Sequence, residues 1–149
     1  MRRTGLTLMA REDIAALIPH QGGMCLWEHI VEWDDTRIVL ETTSHRALDN
    51  PLIANGKLRA VHLCEYGAQA MAVHGALRAA PRQARPGMLV SLRSVTFARD
   101  YIDDLVGTLR VEAICLQSAE SSQQYSFKIT HDGEVAAEGR AAVLLKLPS

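Results

Sequence analysis

A chain of 149 residues is the size of one domain (1–149), large enough to bury a core without disulfide or metal staples. Its formal net charge of −1 excludes the marked basic excess of a nucleic-acid binder. Three cysteines, Cys25, Cys64 and Cys115, are odd in number and lack a CxxC pair, which argues against a disulfide framework or a zinc knot and for a reducing compartment, the cytoplasm.

In chain order, Arg11, Glu12 and Asp13 interrupt any apolar run that would make a signal peptide. No segment reaches the length needed to cross a membrane. Arg11 to Ile18 reads as a short helix ended by Pro19, and Pro19 to Gly23 as a turn. Met24 to Trp33 alternates as a strand, Asp34-Asp35 turns, and Arg37 to Ser44 returns as the second arm of an antiparallel hairpin. His45 to Gly56, with Asn50-Pro51 and Asn55-Gly56, is a loop into a helix that begins near Lys57 and runs to about Ala80 before Pro81. Strands follow at Gly87 to Phe97, Leu105 to Leu116, Tyr125 to Thr130 and Val135 to Leu147, with Asp132-Gly133 as a type I′ turn between the last two. The pattern predicts an α+β fold in which an antiparallel sheet of about six strands curls round one long central helix.

That helix is rich in Ala and Gly on several sides and has no broad polar stripe, so the expectation is a helix enclosed by protein. Glu65 is then its exception, because a buried carboxylate needs a partner or must be neutral. Gln69, at i+4, is placed to orient it, His62 lies to one side, and His74 points roughly opposite as a core or interface residue. A metal reading of His62 and Glu65 lacks a second ligand pair, so no metal is expected. From Tyr66 through Arg99 there are five arginines (Arg78, Arg82, Arg85, Arg93, Arg99) and no acid, a positive face or a scatter of solvated side chains.

The element order and four motifs together resemble the hotdog fold and the 3-hydroxyacyl carrier-protein dehydratases. Ile18 to Leu26 is similar to the Leu-Pro-His segment that opens the fatty-acid dehydratases, and Glu65 to Ala72 to their central-helix Glu-x-x-Ala-Gln segment. Ser44-His45-Arg46, Asn50-Pro51-Leu52, Gly56-Lys57-Leu58 and Glu65 through Gly75 resemble the predicted dehydratase branch of aryl polyene biosynthesis clusters. One departure stands out: where the ordinary enzymes carry a catalytic His in a Gly-His-Phe-Pro-Gly loop, this chain has Asn50 to Gly56 and no His.

The resemblance implies elimination of water from carrier-bound 3-hydroxyacyl thioesters, with the substrate on phosphopantetheine and no other cofactor. Such a reaction needs a base at C2, an acid for the leaving hydroxyl, and donors for the thioester oxygen, which the helix N-terminus can supply. Glu65 takes the family's acid position. For the base, His45 at a strand end faces the helix better than His62 beside it; a loop histidine capping backbone is the structural alternative for His45, and a turn residue for His20. An acyl carrier protein would dock on Arg78, Arg82 and Arg85, and the resemblance implies a homodimer or a heterodimer with another hotdog dehydratase. The competing readings are a hotdog acyl thioesterase, in which a carboxylate activates water, and a non-catalytic hotdog subunit supporting a partner dehydratase.

Overall fold

The computed structural model describes residues 3–4, 14, 25–79 and 87–145. The short helix expected over Arg11 to Ile18 lies outside them except for Ile14, which is helical and fully buried. His20, Arg82 and Arg85 also lie outside the described residues.

Seven strands form one antiparallel sheet: β1 (Arg3–Thr4), β2 (His29–Trp33), β3 (Arg37–Thr42), β4 (Gly87–Phe97), β5 (Leu109–Ser118), β6 (Ser122–His131) and β7 (Glu134–Leu145). Their order is β1-β2-β3-β5-β6-β7-β4, so the two-residue β1 and the 11-residue β4 are the edges. One long helix, α1 (Leu63–Ala79), crosses the inner face and packs on β3, β5 and β6. Six strands of five or more residues around one helix is the expected architecture. No helix of the described residues is long and apolar enough to cross a membrane.

The turns follow the local chemistry. Asp132 (φ 50°) and Gly133 (φ 80°) both lie in the left-handed region, as a type I′ hairpin between β6 and β7 requires. Asn55 (φ 54°) and Gly56 (φ 73°) form a second tight turn, closed by paired backbone bonds between Ala54 and Lys57. Between β2 and β3, the Asp34 carboxylate accepts the backbone N–H groups of Thr36 and Arg37.

Three boundaries differ from the sequence expectation. The central helix begins later than Lys57: Arg59 is extended, and a single 3-10 turn (Ala60–His62) precedes α1. The Ala60 N–H donates to Asp100 O at 2.8 Å and the Ile102 N–H to Leu58 O at 2.9 Å, so the lead-in pairs with the chain beyond β4 instead of with its own next turn. Cys25, Leu26 and Trp27, expected in a strand with one mostly buried face, are buried consecutively, with the Leu26 N–H and Trp27 Nε1 both donating to the helix. The strand after β4 begins at Leu109 and not at Leu105.

The helix approaches the sheet closely at Gly67, where a Cβ would meet the Phe127 ring at 3.0 Å. Its buried side includes Leu63, Tyr66, Gly67, Ala70, Met71, Val73, His74 and Leu77. The helix is not enclosed all round, however. Val61, Glu65 and Ala72 are exposed, with Ala68 and Gly75 between them half-buried, and together they trace one open face at helical spacing.

Candidate active site

The helix and the loop before it are held together by a buried polar network. The Tyr66 hydroxyl lies 2.9 Å from Ser44 Oγ and accepts from Asn50 Nδ2 at 3.0 Å. Ser44 Oγ donates to Leu26 O at 2.6 Å, which leaves the Tyr66 O–H to donate to Ser44. Asn50 uses its whole amide: Nδ2 also donates to Ser44 O, and Oδ1 accepts the Leu52 N–H. Burial, outweighing the hydrogen bonds with Ser44 and Asn50, pushes the Tyr66 hydroxyl's pKa up and keeps it a neutral donor. Trp27 Nε1 donates to Tyr66 O at 2.7 Å, and its ring meets the Tyr66 ring edge-on with centroids 5.5 Å apart. The segment Asn50 to Lys57 is therefore shaped by Asn50 and carries Lys57 as its one ionisable side chain.

At the rim of this network Glu28 accepts from the Thr43 backbone N–H and from the hydroxyls of Thr43 (3.0 Å) and Thr42 (3.1 Å). Burial alone would raise its pKa; the hydrogen bonds outweigh it and hold the carboxyl below its ordinary value.

Glu65 stands next to Tyr66 in sequence and on the other side of the helix. The expectation of a buried carboxylate is overturned: in the single chain Glu65 is exposed to solvent. The two residues project about 100° apart, so a helix that turns Tyr66 inward carries Glu65 to its open edge. Gln69 does not serve as its orienter. It is 1% exposed, and its Oε1 accepts the Leu26 N–H at 2.9 Å, tying the helix to the segment before β2. The half-buried Cys64 beside Glu65 has its thiol pKa raised by burial and by the neighbouring carboxylate, which keeps it from being a thiolate nucleophile.

The histidines separate. His45 sits on a 3-10 turn (Ser44–Arg46) after β3 and is fully buried. Its Nε2 lies 2.7 Å from Leu105 O, a carbonyl that can only accept, so the proton is on Nε2 and the bare Nδ1 is buried without a partner among the described residues. Burial lowers its pKa, outweighing the hydrogen bond to Leu105, which acts in the opposite direction. His62 is half-buried on the 3-10 turn one turn before Glu65. His74 is buried as expected, with Nε2 donating to Asp34 O and Nδ1 accepting from the Tyr125 hydroxyl, both at 2.7 Å.

The arginine face is also uneven. Arg78 is half-buried with Nη1 donating to Cys115 Sγ at 3.7 Å, whereas Arg93 and Arg99 are exposed, Arg99 in a 3.1 Å ion pair with Asp104. A groove of about 460 Å³ opens where the helix lead-in meets the end of β4, lined by Arg59, Val61, Phe97, Arg99 and Tyr101 among others. Val61 of the 3-10 turn, four residues before Glu65 in sequence, is part of this lining, whereas Glu65 itself is not.

The sequence reading missed Ser44, Asn50, Tyr66 and Trp27 as a unit. Ser44 and Asn50 stood inside the motifs that carried the resemblance, but nothing in their spacing told that both reach one tyrosine.

Comparison with solved structures finds the dehydratase heterocomplex ApeI:P from Xenorhabdus doucetiae, at 21% identity and a TM-score of 0.81 over 89% of this chain and 90% of that one. The thioesterase HI1161 from Haemophilus influenzae matches at 11% identity and a TM-score of 0.67, covering 95% of this chain and 93% of its own. AziG from S. sahachiroi matches at 20% identity and a TM-score of 0.60, over 79% and 90%. These likenesses establish the hotdog fold. Among curated protein sequences none matches significantly. The model of the ApeP-like family, described as ApeP dehydratase, covers residues 12–146, so nearly every element described above falls within it, and the chain belongs to the ApeP-like dehydratase family.

Proposed function

We propose that this chain dehydrates carrier-bound 3-hydroxyacyl thioesters to 2-enoyl thioesters in fatty-acid-like or aryl polyene biosynthesis, as one half of a two-chain hotdog enzyme. The observation that carries the reading is Glu65: it is the sole carboxylate on α1 and stands on an open face of small residues. A surface helix normally shows water a charged stripe. This one shows Ala and Gly around a single acid, which suits a face that a second chain covers.

In this reading Glu65 protonates the hydroxyl leaving C3, so that the C–O bond breaks to release water. The proton from C2 goes to a histidine of the second chain. His45 suits that role poorly, since its Nε2 is committed to Leu105 and its Nδ1 is sealed inside. The carbon–carbon double bond forms as the C2 electron pair displaces water, with no oxidant or reductant involved. The heterocomplex named for the Xenorhabdus doucetiae structure supports a two-chain assembly. An acyl carrier protein, acidic as such carriers are, would approach by the basic stretch that includes Arg78, Arg82 and Arg85.

The test incubates the chain, alone and with a second hotdog dehydratase chain, with a 3-hydroxyacyl thioester and its saturated analogue. Loss of water without free thiol is the expected result; thiol release from both substrates would instead make the protein a thioesterase, as HI1161 is named. Glu65→Gln is expected to lower kcat about 10²–10⁴-fold. If His45→Gln lowered it equally in a folded complex, the base would be this chain's own.

A further inference from the structure

The outer side of β4 is unpaired among the described residues, and an edge of 11 residues presents a row of free backbone donors and acceptors. Near its middle, Arg93 stands directly opposite Arg140 of β7. Both are exposed, and neither forms an ion pair among the described residues. The nearest acid on that face, Glu138, lies two residues along β7 and opposite Lys128 of β6. Like charges directly opposite each other across antiparallel strands repel, so the sheet carries an uncompensated pair of guanidinium groups next to its free edge. On the other face Leu92 and Phe97 are partly exposed, at 37% and 38%. The edge thus combines open backbone, apolar side chains in need of cover, and two like charges.

We propose that Arg93 and Arg140 make this edge selective for a second hotdog chain with acidic side chains on its own edge strand, and against a copy of this chain. A two-fold pairing of β4 with its copy, centred on Leu92, sets Arg93 across from Ser91 with the two Arg93 side chains diagonal on one face. Strands about 4.8 Å apart would then line up four guanidinium groups, Arg140, Arg93 and their two mates. The copy offers no relief, because β4 contains no Asp or Glu. An acid at the facing position of a different chain turns the same repulsion into attraction, so the pair discriminates by rejecting the wrong partner as well as by attracting the right one. The inference rests on the reading that a second chain completes the active site. Its readout is association and not turnover, so the two can fail separately.

The test needs no natural partner. Wild-type chain is mixed in equal amounts with isotope-labelled R93E/R140E chain at low salt, and the dimers are counted by native mass spectrometry. The mixed dimer is expected to exceed its statistical share about tenfold, and the excess is expected to shrink at roughly 0.5 M salt. Statistical mixing, a tight salt-insensitive wild-type dimer, or the absence of any dimer would each overturn the proposal. Arg93→Gln, a milder change checked for folding by circular dichroism, is expected to raise self-association severalfold; unchanged self-association of that folded variant would also overturn it.

Discussion

Glu65 and Tyr66 are neighbours in the chain and opposites in the fold, one facing solvent and the other fully buried. Glu65→Gln is therefore expected to leave stability within about 0.5 kcal/mol while removing the acid, a separation that melting curves and single-turnover rates on the same sample will show. Tyr66→Phe does the reverse. It strands Asn50 Nδ2 without one acceptor and Ser44 Oγ without its donor, at about 1–3 kcal/mol of stability measured by denaturant unfolding. The buried histidines set a pH dependence. Burial lowers the pKa of both His45 and His74 below the ordinary value of about 6.5. The unfolded chain then binds more protons than the folded one below that value, so the stability these rings allow is complete above about pH 6.5 and is lost as pH falls towards their folded pKa values. Melting temperature should fall between about pH 7.5 and pH 5.5, and a folded His74→Gln variant should show a shallower slope. The sequence named Glu65 as the helix's one acid and His74 as a core residue, because composition and helical phase show both. It misjudged the burial of Glu65, because small residues line a helix equally well under a sheet and under a partner.

The central helix owes its position to one glycine as much as to its apolar residues. Gly67 lets the backbone come down onto Phe127, and adding a branched side chain there forces the ring or the helix to move. Gly67→Val is expected to cost about 1–3 kcal/mol, read as a lower denaturant midpoint with an unchanged m-value. Elements defined by local chemistry were legible: the Asp132-Gly133 hairpin and the alternation of β6. The helix start was not. The Ala60 N–H and the Leu58 carbonyl bond to Asp100 and Ile102, some 40 residues away, and no local propensity near Lys57 announces such a competitor.

At the scale of the molecule, among the described residues the sheet ends on the long strand β4 on one side and the two-residue β1 on the other. In the isolated chain at low concentration, the outward amides of β4 are expected to exchange hydrogen far faster than those of β5 and β6, which are paired on both sides. Equal protection would mean that the edge is already covered. By itself the sequence determined the fold class and the family, because hydrophobic period, turn residues and a handful of ordered motifs are properties of short stretches. The tertiary structure alone decided which side of the helix stays open, that Gln69 and His45 bond to backbone instead of facing Glu65, and that Arg93 meets Arg140. Each of these depends on residues far apart in the chain meeting at one register, and no reading of neighbours along the chain contains that register.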